Sequence, residues 1–149
     1  MNIDRSKTLD ELEGTDWGPP EYDSRLVKTC HRLRKTPLKD FSVEDLRIMM
    51  QQGISPLFLV PMALDVLQAN PLAEGDYYPG DLLNSVVSGV LTGFWKTDPS
   101  LLSRLKAVVA SLKAMVEKQN PSVSSDLREL LVSVSSSVDK IIQQVGTEQ

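Results

Sequence analysis

The 149-residue chain holds one cysteine, one histidine and eight aromatic residues. With Cys30 alone, no intrachain disulfide can form and no cysteine-rich zinc site can be built. His31 cannot supply a tetrahedral zinc site by itself, and a Ser-His-Asp or Cys-His mechanism would have to run through it. Neighbouring residues on a helix diverge by about 100°, so Cys30 and His31 do not form a catalytic pair by adjacency. Both are expected to be structural. The sequence has no run of about 18 uninterrupted apolar residues, and its start, Met1-Asn2-Ile3-Asp4-Arg5, has no apolar signal core. Phosphate-loop, Gly-x-Gly-x-x-Gly and Gly-x-Ser-x-Gly motifs are all missing. Asp76 and Asp81 lack the spacing of a calcium-binding EF-hand. These absences predict a cytoplasmic protein that is not an enzyme, needs no cofactor or metal and does not cross a membrane.

Charge is distributed unevenly. The net charge is −4. Residues 1–23 carry a net −5, residues 24–39 a net +6 and residues 40–96 a net −5, while residues 97–149 are balanced. One basic element is therefore embedded in acidic surroundings. Either it neutralises neighbouring acids inside the fold, or the acids await a basic partner. Nucleic-acid binding through Arg25, Lys28, Arg32 and Lys35 is disfavoured, because that face spans only about three turns and its surroundings repel phosphate.

Strand-like alternation is missing, whereas helix signals recur along the chain. Thr8-x-x-Glu11 fits a capping box, and Gly14 ends that first helix. A second helix is predicted over about Asp23–Lys35, with Leu26, Cys30 and Leu33 inward. Ser42 caps a third over Val43–Gln52, with Asp45 at its third position and Gly53 as the stop. Ser55-Pro56 reads as cap then proline, opening an apolar helix that Asn70-Pro71 ends. Pro61 predicts a kink or restart within it. A further helix starts at Gly80 or Asp81 and weakens at Gly89 and Gly93. Asp98-Pro99 opens a helix with a stripe from Leu101 to Val116, including Leu105. After a break at Asn120-Pro121, a second stripe runs from Leu127 to Val145, including Leu131. The prediction is a single all-α domain over residues 1–149, a bundle of six or seven helices ending in a long antiparallel helical hairpin at 97–149.

Two loops combine acids with aromatic rings. Residues 16–23 contain Asp16, Trp17, Glu21 and Tyr22, and residues 74–81 contain Glu74, Asp76, Tyr77, Tyr78 and Asp81. They hold four of the eight aromatic residues. Tyr and Trp are favoured interface anchors, and adjacent carboxylates suit a basic partner, so these nine residues are the candidate partner-binding set. The competing account has the rings plug gaps between helices while the acids cap them.

The same residues carry a family resemblance. Leu12-Glu13-Gly14-Thr15-Asp16-Trp17-Gly18, Tyr22-Asp23-Ser24-Arg25-Leu26-Val27 and Cys30-His31-Arg32-Leu33-Arg34 belong to it. So do Phe41-Ser42-Val43-Glu44-Asp45-Leu46-Arg47, Leu59-Val60-Pro61 and the stretch from Asn70 to Leu83. Over about residues 8–90 the chain resembles the immunity proteins of bacterial contact-dependent growth inhibition systems. The resemblance implies a cytoplasmic protein that neutralises the C-terminal toxin domain of a large exported surface protein, often a nuclease. A helical adaptor or chaperone for another protein is the alternative class.

Overall fold

The first three α-helices each begin at a Ser or Thr side chain that serves an unpaired backbone N–H. The structure is a computed structural model and describes residues 2–118 and 124–147. In α1 (Leu9–Glu13) the Thr8 and Glu11 side chains cap reciprocally, and Gly14 closes the helix at φ 65°. Ser24 caps α2 (Arg25–Arg34). After a 3-10 turn at Leu38–Asp40, Ser42 and Asp45 form a second capping box on α3 (Val43–Gln51). Then come α4 (Pro56–Ala69), α5 (Asp81–Gly89), α6 (Thr92–Thr97), α7 (Pro99–Lys118) and α8 (Ser125–Thr147). The described residues thus hold eight α-helices, against the six or seven expected. The addition is α6, six residues long, whose Trp95 is wholly buried.

Ser55 stands at the N-cap position of α4 with Pro56 behind it, but its side chain makes no capping bond: its hydroxyl donates to Glu13 and accepts from Arg34. Of the kink or restart expected at Pro61, no restart occurs, and the helix runs on through that residue. Proline there removes the bond that the Leu57 carbonyl would accept, but Leu57 is half exposed and water can serve that oxygen. On either side, Leu59, Val60, Met62, Ala63, Leu64 and Leu67 are buried, which makes α4 the central apolar helix. Leu26, predicted inward on α2, is instead largely exposed, while Cys30 and Leu33 are buried.

The core is continuous from Leu9 to Ile141. Its closest packing brings the end of α5 against the end of α3. A Cβ at Gly89 would run into the Met50 carbonyl and the Gln51 backbone, so only glycine permits this approach. The α7 stripe buries Leu101, Leu102, Leu105, Val108 and Leu112. The α8 stripe buries Leu130, Val134, Val138 and Ile141, while Leu131 is only partly buried. α8 packs on α7 and also on α5 and α6. The break predicted at Asn120-Pro121 lies outside the described residues. No helix among the described residues is long and apolar enough to cross a membrane.

Core occupancy sets the expected mutational costs. Leu105→Ala removes a fully buried side chain and should cost about 2–5 kcal/mol in denaturant unfolding. Leu131→Ala should cost clearly less, because its site is partly open. Gly89→Ala should cost about 1–3 kcal/mol by overpacking against backbone that cannot move aside.

Candidate functional site: two aromatic loops at opposite ends of one helix

Loop 74–80 is held by groups on both sides of it. Gly80 turns the chain at φ 90° and places Asp81 at the first position of α5. Asp81 is 2% exposed. Its carboxylate accepts from the backbone N–H of Gly75 at 2.7 Å, Tyr77 at 3.0 Å and Tyr78 at 3.4 Å. Glu74 and Pro79 pair across the loop. From α3, the Glu44 carboxylate accepts from the Asp76 N–H at 3.0 Å. It also takes a two-pronged contact from Arg47, at 2.5 and 2.7 Å. The Arg47 guanidinium in turn lies 4.4 Å over the Tyr77 ring. Hydrogen bonding by Arg47 holds Glu44 below its ordinary carboxylate value. The Tyr78 hydroxyl accepts from Asn84 at 2.7 Å.

This network sorts the predicted residues. Glu74, Asp76, Tyr77 and Tyr78 stand at the surface, with Tyr77 70% exposed. Asp81 does not: it is the internal post on which the loop is folded, so its expected role as a surface contact is corrected. Beside the loop lies a concavity of about 650 Å³, walled by Tyr78 and Pro79 on one side and by the first turns of α8 on the other.

Loop 16–23 is organised around Arg34. This residue is 1% exposed and was not among the basic residues singled out on α2. Its Nε donates to Asp10 at 2.8 Å, and one terminal nitrogen reaches Glu13 at 2.5 Å and Ser55 at 3.1 Å. The Trp17 ring lies over its guanidinium at 4.4 Å and meets His31 edge-on at 5.2 Å. His31 Nδ1 is 3.1 Å from the Gly18 carbonyl oxygen. Lys35 bridges Asp10 at 2.8 Å and Asp16 at 2.7 Å, and Asp16 also accepts from the Gly18 N–H at 2.7 Å. Lys28 pairs with Asp23. The basic and acidic segments therefore neutralise each other here. Trp17 is a partly exposed cover over a buried cation, and Asp16 is committed to Lys35. Glu21 and Tyr22 remain outward, Tyr22 at 70% exposure. Cys30 is buried, which pushes its thiol pKa up.

The two loops lie near opposite ends of α3. Loop 74–80 flanks the start of α3 through Glu44, whereas Trp17 shares a hollow with Gly53 and Ile54 just past its end. Nine intervening residues of helical rise separate those ends by roughly 14 Å. Glu44, Arg47 and Arg34 were not in the set of candidates that the sequence suggested. The Glu44–Arg47 spacing of three residues was a readable sign of a pair on one helix face. Nothing local marked Arg34 for burial. Among the described residues, no three His, Cys, Asp or Glu side chains converge as metal ligands.

The molecule is thus an all-α protein that displays exposed aromatic side chains on loops fixed from within. The chain belongs to the CDI immunity proteins: the model of that family matches residues 11–105, a span that includes both loops. CDI denotes contact-dependent growth inhibition, and an immunity protein of such a system neutralises its toxin. No curated protein and no solved structure matches the chain.

Two measurements check the site's construction. Asp81→Ala leaves three backbone donors without their acceptor and should cost about 1–3 kcal/mol, with faster hydrogen exchange at the Gly75 and Tyr77 amides. The second concerns acid. Burial pushes Asp10 up, but hydrogen bonds from Lys35 and Arg34 outweigh it, and its pKa is lowered. The hydrogen bond from Lys35 likewise lowers Asp16. Groups with lowered folded-state values stabilise the protein above the ordinary carboxylate range, about pH 4, and that stability is lost as pH falls through the lowered values. Asp10→Asn should reduce stability at neutral pH and flatten the loss seen on acidification by urea unfolding.

Proposed function

We propose that this chain neutralises its toxin by stoichiometric binding without turnover, in the cytoplasm, and that its target is the C-terminal toxin domain of the cognate exported protein, a nuclease. Family membership supports the general role. The observation that carries the mode of action is loop 74–80, which presents Tyr77 at 70% exposure on the same loop as the outward acids Glu74 and Asp76.

A nuclease must attract phosphate, so the surface around its active site is basic. An acidic partner can cover that surface, gain association rate by electrostatic steering and lose affinity as salt rises. Loop 74–80 suits this task better than loop 16–23. Its surface acids are not neutralised by the α2 cations, and its backbone is fixed before any partner arrives, which lowers the ordering cost of binding. In loop 16–23 the Lys35 bridge has already taken up Asp16. Glu21 and Tyr22 therefore stand as a secondary contact.

The test of the role is co-expression of the last few hundred codons of the reading frame upstream of this gene, with and without this chain. Rescue of growth supports the reading, and toxicity unaffected by this chain overturns it. At the site, Tyr77→Ala should weaken toxin binding at least tenfold, mostly through faster dissociation, with little change in melting temperature. Asp76→Asn should slow association and reduce its dependence on salt. A Tyr77 variant that melts early yet binds normally in its folded fraction would make the ring scaffold rather than contact.

A further inference from the structure

We propose that the groove between loop 74–80 and α8 receives a Lys or Arg side chain from a cationic segment of the toxin, making α8 half of the recognition surface. The proposal rests on the toxin-binding reading above and extends it to residues which that reading does not use.

The concavity has a volume of about 650 Å³, within the range of sites that enclose a ligand group. Leu72, Leu127 and Leu130 supply its apolar surface, and Tyr78 forms a wall. Asp126 and Glu129, both exposed, sit on the α8 side. Among the described residues, none of those lining the groove is basic. Across the loop, the backbone of Pro79, another lining residue, pairs with that of Glu74 and fixes this wall. An apolar surface edged by carboxylates suits a long cationic side chain. Its methylene stem lies on leucine and the tyrosine ring, while its charged head reaches the acids. An arginine gains further from the face of Tyr78.

The two walls are held in register rather than left to find each other. A Cβ at Gly80 would run into the Leu130 side chain, so α8 is seated directly on the turn that opens α5. The same Gly80 lies beside Asp81, which anchors the loop. Partner charge is therefore met by a preformed surface. The α8 wall lies beyond the matched residues 11–105, whereas Tyr78 lies within them. Contacts on α8 thus add a second determinant by which this chain can distinguish one toxin from another.

The experiment measures affinity and melting temperature with the purified C-terminal domain encoded by the upstream reading frame. One groove variant reverses charge, Asp126→Lys with Glu129→Lys. A second, Ser133→Trp, fills the groove from an exposed position. The control, Ser136→Trp with Asp139→Lys, makes matching changes at exposed positions further along α8, lining a different hollow. The expected result is at least a tenfold loss of affinity in both groove variants, unchanged affinity in the control, and melting temperatures close to the parent's. Should one groove variant fold poorly, the other decides. Parental affinity in a folded groove variant, or an equal loss in the control, overturns the proposal. If Tyr77→Ala still weakens binding in that case, the loop-centred reading stands without the groove. A parent chain that binds no toxin domain overturns both.

Discussion

A carboxylate withdrawn from water must be compensated, and Asp81 shows how that requirement shapes this molecule. The side chain is 2% exposed, and three backbone N–H groups of the preceding loop converge on it. Unpaired, such a charge would cost several kcal/mol. Paired, it forces residues 75–78 into a fixed course and directs Tyr77 outward. The same residue begins α5, the helix whose far end makes the tightest backbone approach in the core, at Gly89. Helix start, loop shape and display of the aromatic rings thus depend on one buried group. Glu44 and Arg47 reinforce it from α3, so the loop is clamped from two elements rather than tethered at its ends.

The second buried charge, Arg34, acts on composition at long range. The N-terminal segment and α2 carry opposite net charges in the sequence, and the fold brings them together. Asp10 and Glu13 compensate Arg34, Lys35 gathers Asp10 and Asp16, and Trp17 covers the guanidinium. Much of the N-terminal acidity is therefore spent internally. The acids left facing outward include Glu74 and Asp76 on loop 74–80 and Asp126 and Glu129 at the start of α8. A partner responds to that residual surface, not to net charge, because paired ions at short range cancel each other's field within a Debye length.

What could be read from the chain was local. The Thr8–Glu11 and Ser42–Asp45 boxes, the glycine stops at Gly14 and Gly53 and the stripes of α7 and α8 concern residues within a few turns of one another. Spacing and capping chemistry decide such features. The failures share the opposite character. Leu26 keeps the inward phase of α2 but is only partly covered, at 43% exposure. Ser55 looks like a cap, yet Glu13 and Arg34 claim its hydroxyl from 42 and 21 residues away. The α6 segment is too short to show a period and forms because Trp95 is buried beneath its neighbours.

The candidate site divides along the same line. Composition identified loop 74–81 as irregular, acidic and aromatic, and the ordered residues of the family resemblance pointed to protein binding. Those properties belong to residue type and order, which the sequence carries without reference to folding. Which of the acids face water was not among them. Asp76 and Asp81 are chemically alike and five residues apart, yet one is exposed and the other is buried as an acceptor of three backbone bonds. Only the tertiary structure could decide between them, because burial depends on the neighbours that arrive from α3 and α8. The groove beside Tyr78 has the same origin: its two walls are more than 40 residues apart in the chain and become one surface only when Leu130 settles on Gly80.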